Sequence, residues 1–318
     1  MKLILFGGKG GVGKTTCASA AAVQLADAGC RTLLVSTDPA HSLSDCLELE
    51  IGPEVQKIEG VANLSALEIS AQRLFLKFKE EHGEEIKRIL ETGTYLDEGD
   101  IDDLFPLSIP GLDEVMAFKE LVELMDRGQY DFYILDTAPT GHALRLLALP
   151  ELLDEWIRVL ARMRYKYRYV VSRLARREIH EPADDFLFTM KRAVKKIQGL
   201  LRDPTRCEFV VVTIPETMAI AETQRLVGEL DRLKIPVRRL VVNHVVSSEG
   251  GACPFCCERW QEQRGLLQEC EQAFPQLTIF KLLARPKQVK GLQRLREILF
   301  PIQWFSADPV VVTDRGLA

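Results

Sequence analysis

The sequence lacks the features that mark several large classes of protein. It contains no apolar run approaching the ~18–20 residues that a membrane-spanning helix needs. Its 8 cysteines in 318 residues are too few for a disulfide scaffold. The formal net charge of −5 provides no general attraction to nucleic acid, and no internal repeat is visible. These absences argue against an integral membrane protein, a disulfide-rich secreted domain, a nucleic-acid-binding protein and a tandem duplication.

The overall amino-acid composition is typical of a globular protein. Hydrophobic residues make up 47% and charged residues 27% of the chain, which suffices for one large α/β domain or two smaller ones. The apolar stretch at residues 3–6 is too short for a signal-peptide core and leads directly into glycines. We therefore expect a cytoplasmic protein with reduced cysteines, which are buried or bind metal where they cluster.

The start of the chain carries a phosphate-binding motif. An apolar run of strand length at residues 2–6 precedes a glycine-rich loop, and an alanine-rich helix follows at once. This context is the one that G-x-x-x-x-G-K-[ST] requires: backbone N–H groups wrap the phosphates, Lys14 reaches the β and γ oxygens, and the Thr15 hydroxyl binds Mg²⁺. The residues predicted to bind ATP here are Gly8, Lys9, Gly10, Gly11, Val12, Gly13, Lys14, Thr15 and Thr16.

Lys9 is a second lysine inside this loop. A simple phosphate cradle needs no charge at that position, and the lysine would repel Lys14. One interpretation is that Lys9 reaches a second nucleotide across a dimer interface and neutralises charge there, as an arginine finger does. The alternative is a solvated loop lysine. The K-G-G-V-G-K-T-T form is similar to that of the deviant-Walker ATPases.

Two further loops place carboxylates after apolar strands. Asp38 follows the run at 32–36, and Asp136 follows the run at 131–135. Acids at the carboxyl ends of parallel strands lie at the ligand-binding edge of a sheet. Asp136 fits the Walker B pattern near Mg²⁺, and Asp38 is a candidate for orienting the attacking water. Asp45 is a weaker candidate for a metal-bound water, and Asp38 and Asp45 have helix capping as the alternative.

These two loops carry a specific resemblance. The segments D-P-A-H-S-L-S-D, beginning at Asp38, and D-T-A-P-T-G-H-x-L-R, beginning at Asp136, resemble the arsenite-pump and tail-anchored-protein-targeting ATPases over about residues 1–300. The resemblance implies a homodimer that hydrolyses Mg-ATP, with Asp38 as the catalytic aspartate of switch I and Asp136 as the aspartate of switch II that contributes to nucleotide binding.

Glu216 and Asn243 match two later positions of that family. Each follows an apolar strand, at 208–213 and 239–243. By resemblance, the acid lies near the partner's phosphate loop and the asparagine lies on the adenine. A side-chain amide can pair with adenine's donor and acceptor together, and the carboxylate of Glu216 could pair with Lys9 of the other chain. A strand-end cap or a surface charge is the alternative for each.

Cys253 and Cys256 form a C-x-x-C in a glycine- and proline-containing loop. Two thiolates make half of a tetrahedral zinc site, and a two-fold axis would complete it with the same pair from a second chain. The targeting branch of the family has such a zinc ion between its subunits. A redox dithiol and plain reduced cysteines remain alternatives, and Cys257 is a competing ligand. The scattered cysteines are taken as small buried side chains: Cys17, Cys30, Cys46, Cys207 and Cys270.

The predicted fold is a doubly wound, mostly parallel α/β sheet with a helical insert. The P-loop core is assigned to residues 1–69, 128–150 and 202–300, the helical subdomain to 70–127 and 151–201, and a tail to 301–318. In the targeting branch this subdomain forms a membrane-helix-binding groove lined with methionine and leucine. This chain has only 6 methionines, and residues 158–177 carry Lys or Arg without any acid. That segment is either a solvated basic face or a contact for anionic lipid, which would place the protein peripherally at the membrane, or for an acidic partner.

Three functions are compatible with these features. Single copy and the C-x-x-C favour targeting of tail-anchored membrane proteins, with a transmembrane helix as cargo and a membrane receptor as partner. The driving ATPase of an arsenite efflux pump would need thiolates near the helical insert, but no cysteine lies between Cys46 and Cys207. The third is a regulatory switch that uses ATP only to change partners.

Overall fold

The computed structural model describes residues 1–37, 42–70, 73–74, 76–77, 80–81, 83, 112–137, 182–247 and 253–301. Within them the strands are β1 Lys2–Gly7, β2 Thr32–Ser36, β3 Gln56–Lys57, β4 Leu64–Glu68, β5 Phe132–Asp136, β6 Cys207–Thr213, β7 Val237–Val245 and β8 Thr278–Leu283. The helices are α1 Lys14–Asp27, α2 Ser42–Leu47, α3 Leu112–Asp126, α4 Pro182–Arg202, α5 Thr217–Arg232, α6 Pro254–Ala273 and α7 Gly291–Leu295.

The strands form one 8-stranded sheet in the order β3-β4-β2-β5-β1-β6-β7-β8. All pairs are parallel except β3 with β4. The central strands β1, β2 and β6 are buried along their whole length, as apolar strands are when helices cover both faces of a sheet. The predicted fold class, a mostly parallel doubly wound α/β sheet, is confirmed.

Helices pack on both faces of the sheet. One layer contains α1, α2 and α7, and its core includes Ala21, Leu43 and Leu295. Alanines at 20, 21 and 22 are fully buried, and their small side chains let α1 lie close to the sheet. The opposite layer contains α3, α4, α5 and α6. The phosphate loop therefore leads into a helix that is held rigidly against the sheet.

The described ends of α3 and α4 pack on the sheet as well. Phe118 and Leu121 of α3 and Ile197 of α4 belong to the same core as β1 and β5. The Tyr133 hydroxyl of β5 donates a 2.9 Å hydrogen bond to the Leu124 carbonyl of α3, and Lys196 pairs with Asp126. The predicted helical subdomain falls mostly outside the described residues, as do the basic segment 158–177 and the tail after 301. Its boundaries stay a prediction.

None of the helices in the described ranges is both long enough and apolar enough to cross a bilayer.

Candidate nucleotide site

The predicted nucleotide-binding residues lie at one edge of the sheet. In the parallel register, Phe6 of β1 and Ser36 of β2 both lie beside Asp136 of β5. The loops that follow these strands therefore leave the sheet at neighbouring points. In doubly wound sheets this carboxyl edge is where ligands bind.

Two glycines of the loop are required by their surroundings. A Cβ atom at Gly8 would lie 2.0 Å from the carbonyl oxygen of Val212 in β6, so the loop can pass this strand only without a side chain. Gly13 has a φ of 91°, and a Cβ there would lie 2.4 Å from Nδ2 of Asn243. By contrast, a Cβ at Gly10 would meet nothing within 4 Å. The loop thus packs on β6 and β7 at its two ends and is open at its centre.

Lys14 begins α1 and reaches back over the loop. Its side chain is only 6% exposed, and Nζ donates a 3.3 Å hydrogen bond to the Lys9 carbonyl. The ammonium group is therefore held beside the loop at the amino end of α1, where N–H groups and the helix dipole favour phosphate. Lys9 is partly buried in the same loop.

A buried carboxylate lies next to the first turn of α1. Asp136 has no exposed surface, and its Oδ2 accepts a 2.7 Å hydrogen bond from the Thr15 hydroxyl. Thr15 Oγ1 also lies 3.2 Å from Oγ of Ser42, the first residue of α2. Hydroxyl and carboxylate oxygens are the ligands that Mg²⁺ prefers, so these residues fit the predicted ion. Thr15 and Asp136 would hold it near the phosphates, where it supplies positive charge.

Glu68 is a site residue that the sequence reasoning missed. It is the last residue of β4 and is only 7% exposed. Its Oε1 accepts two hydrogen bonds from Ser44, one from the backbone N–H at 3.1 Å and one from the hydroxyl at 3.2 Å. Glu68 therefore holds the first turn of α2, which carries Ser42 to Thr15. The signal was present, because an apolar strand ending in an acid is the pattern that identified Asp136. Asp45, on the same helix, is exposed.

Asn243 contacts the phosphate loop. Its Nδ2 donates to the Val12 carbonyl at 2.9 Å, and its Oδ1 accepts from the N–H of His244 at 2.9 Å. The structure thus brings the residue predicted to bind adenine to the loop predicted to bind phosphate.

Glu216 lies at the same edge, just before α5. It is exposed, and its Oε1 is 3.8 Å from Nη2 of Arg259 in α6 of the same chain. Pairing with Lys9 of another chain stays a prediction. Asp38 lies outside the described residues, so its predicted catalytic role is also still a prediction.

Comparison with known proteins agrees with the ATP-binding site predicted from the sequence. A family model described as anion-transporting ATPase matches residues 1–302. The chain belongs to the anion-transporting ATPase family. It is an ATPase, and the resemblance drawn from the sequence motifs is confirmed.

Relatives of this ATPase cover nearly all of its length. ATPase ASNA1 homolog 1 of Paramecium tetraurelia is 34% identical over an alignment of 305 residues that covers 93% of this chain and 91% of the relative. ATPase GET3C of Arabidopsis thaliana is 35% identical, with 93% and 80% covered. ATPase get3 of Schizosaccharomyces pombe is 30% identical, with 93% and 89% covered.

The thiol turn of this ATPase, Cys253 to Cys257, begins α6. Cys253 is the N-cap and is exposed, and Pro254 opens the helix. The N–H and thiol of Cys256 donate hydrogen bonds to the Cys253 sulfur, which lowers the pKa of the Cys253 thiol. Over the described part of the chain, no group of three or more His, Cys, Asp or Glu side chains could hold a metal ion. One chain of this ATPase thus offers two adjacent thiols, which fit half of a tetrahedral zinc site.

The remaining cysteines of the ATPase differ from this pair. Cys17, Cys46, Cys207 and Cys270 are buried, as expected, while Cys30 is partly exposed. Burial raises the pKa of the Cys17 and Cys207 thiols, and it raises that of Cys270 to about 11. These thiols stay protonated at neutral pH and behave as small apolar groups.

Proposed function

We propose that this ATPase works as a homodimer that hydrolyses Mg-ATP in order to handle a hydrophobic cargo, the transmembrane helix of tail-anchored membrane proteins. The observation that carries the ATPase part is the hydrogen bond from Thr15 to the buried Asp136, next to the buried Lys14. It joins the phosphate loop to the second acidic loop at the ligand-binding edge of the sheet.

Each residue of the site has a defined task in this proposal. Lys14 and the amino end of α1 neutralise the phosphate oxygens. Thr15 and Asp136 hold Mg²⁺. Asp38 orients the water that attacks the γ-phosphate, and Lys9 of the second chain neutralises charge on the group being transferred. Asn243 binds the adenine, and Glu216 lies near the second chain's phosphate loop.

Surface properties of α5 and α6 support the dimer. Met218, in the first turn of α5, is 69% exposed, and Phe255, in the first turn of α6, is 68% exposed. An ion pair joins the same two parts of the chain, since Nη2 of Arg259 in α6 lies 3.8 Å from Oε1 of Glu216, the residue before α5. Exposed large apolar side chains at one place mark surfaces that bind another protein. A second copy would cover them and bring its Cys253 and Cys256 to complete a four-thiolate zinc site on the two-fold axis.

The nature of the cargo rests on the resemblance to the targeting branch. The C-x-x-C at residues 253–256 supports that branch. An arsenite pump would use thiolates near the helical segments, and the sequence has no cysteine between Cys46 and Cys207. We place the protein in the cytoplasm, with a membrane receptor as the partner that takes over the cargo, and with contact to the membrane surface during that step.

The test measures ATP turnover of the purified protein with arsenite and, separately, with a soluble peptide carrying an apolar helix. We expect the peptide to bind and change turnover while arsenite leaves it unaltered. The control is a peptide of equal length in which polar residues replace the apolar face. Stimulation by arsenite without peptide binding would support a pump instead, and no response to either would support a regulatory switch.

A further inference from the structure

Helix α6 carries an unusual buried side chain. Within this helix only Gln263 and Cys270 are buried, and Gln263 is 2% exposed. A buried amide must form hydrogen bonds, because an unsatisfied polar group costs about 1–3 kcal/mol. Gln263 forms two: its Oε1 accepts from the N–H of Val246 at 2.8 Å, and its Nε2 donates to the carbonyl of His244 at 3.1 Å. Both partners belong to the backbone at the end of β7.

The end of β7 needs such support because its backbone is irregular. His244 has a φ of 59°, in the left-handed region that costs a non-glycine residue roughly 1–2 kcal/mol. The pairing of β7 with β8 also shifts register between Val242 and Val245. Gln263 bonds the backbone on both sides of Val245, and so holds the chain in this shape.

The same irregular segment, at the end of β7, orients the side chain of Asn243. Its Oδ1 accepts from the N–H of His244, the residue with the left-handed backbone, and its Nδ2 donates to Val12 in the phosphate loop. A rotation of the His244 peptide would move this N–H and release the Asn243 amide. The contacts therefore form a continuous series from Gln263 through His244 to Asn243 and Val12.

We infer that Gln263 is a positioning residue for nucleotide binding, acting through the end of β7 on Asn243. The inference rests on the proposed role of Asn243 at the adenine. Glutamine suits the position because one side chain supplies both the acceptor that Val246 needs and the donor that His244 needs. Methionine has a similar length but supplies neither hydrogen bond.

The experiment compares ATP affinity and turnover in Gln263→Met, Asn243→Ala and the double variant. We expect Gln263→Met to raise the Kd and KM for ATP roughly tenfold, about the value of one hydrogen bond between Asn243 and the adenine, with kcat nearly unchanged. In the Asn243→Ala background the same substitution should change ATP affinity little further, because the side chain through which Gln263 acts is already absent. Gln268→Met, at an exposed glutamine of the same helix, is the matched control.

The possible results distinguish the positioning role of Gln263 from the adenine role of Asn243. If Asn243→Ala weakens ATP binding but Gln263→Met does not, the inference is wrong and the role of Asn243 stands. Equal losses in both backgrounds would also overturn it, since Gln263 would then act by another route. If Asn243→Ala leaves ATP affinity unchanged, the proposed role of Asn243 at the adenine is wrong, and the inference about Gln263, which rests on it, is wrong as well. Should Gln263→Met not fold, Gln263→Glu keeps the acceptor, removes the donor and allows the same comparison.

Discussion

The nucleotide edge and the thiol turn are organised in opposite ways. At the nucleotide edge, Asp136 is fully buried, Lys14 is 6% exposed, and Thr15 joins the two loops through a 2.7 Å hydrogen bond. At the thiol turn, Cys253 is exposed and Phe255 is 68% exposed. The first region has its groups bonded within one chain, while the second presents two ligands for a metal that needs four.

This difference separates what one chain does from what two chains do. In our proposal, nucleotide binding uses groups that a single chain already holds in place, so it should not depend on protein concentration. Zinc binding in our proposal needs two copies, and turnover needs Lys9 of the second copy. Substitutions in either region test this difference, because each should alter what one chain does or what two chains do.

The largest effect is expected for Lys14→Ala. Removing the buried ammonium deprives the phosphates of their main neutralising charge, so ATP affinity and kcat/KM should fall by about 10²–10³-fold. The loss should be equal at every protein concentration, as measured by nucleotide titration. Lys57→Ala, at an exposed lysine of β3, is the control. Unchanged ATP affinity in Lys14→Ala would count against the cradle.

Asp38→Asn should affect turnover rather than binding. The amide retains the size of the carboxylate but loses its basicity, so kcat should fall by ~10²-fold while the Kd for ATP changes little. Single-turnover hydrolysis and equilibrium binding measure the two quantities separately. Asp231→Asn, at an exposed aspartate near the end of α5, is the control. Hydrolysis at the native rate would remove Asp38 from the mechanism.

Changing Cys253 and Cys256 together to serine should weaken the dimer and leave the monomer folded. We expect the dimer Kd to rise roughly tenfold or more, and zinc to fall from one ion per two chains to none. Sedimentation and metal analysis measure these, with Cys257→Ser as the control. One zinc ion per chain in the native protein would mean that Cys257 or His244 completes a private site. No zinc would leave a redox pair or plain thiols.

The smallest effect is expected away from both regions. Tyr133 is fully buried in β5, and its hydroxyl donates to the Leu124 carbonyl at 2.9 Å. Tyr133→Phe should lower the free energy of unfolding by about 1 kcal/mol, the usual net value of one hydrogen bond. ATP binding and dimer affinity should stay at native values. A change in ATP binding or in dimer affinity would show that the contact between β5 and α3 affects the nucleotide site or the dimer interface.

Much of the nucleotide edge was predictable because its chemistry follows local patterns. Each strand that supplies a group is a short apolar run. Asp136 is the last residue of β5, and Lys14 follows the glycine-rich loop after β1. Parallel register then brings these ends together. The sheet was predictable for the same reason, since apolar runs of this length indicate strands buried on both faces.

The contacts that escaped the sequence reasoning are non-local. Glu68 and Ser44 are separated by 24 residues, and Gln263 by 17 from Val246. Neither spacing has a periodicity that points to the partner, and glutamine on a helix is ordinarily a surface residue. Such residues hold other segments in place through hydrogen bonds to their backbone, and only the packed fold brings them into contact.

Mixing Lys9→Ala chains with Asp38→Asn chains tests whether ATP binds to one chain while its hydrolysis requires two. Each variant alone should bind ATP and hydrolyse it poorly. In the mixture, a heterodimer has one site with both an intact Asp38 and the partner's intact Lys9. Turnover should recover to roughly a quarter of the native rate, because half the dimers are mixed and each has one complete site. If heterodimers form but turnover stays at the level of the separate variants, Lys9 does not act across the dimer and the proposal that hydrolysis requires Lys9 of a second chain is wrong.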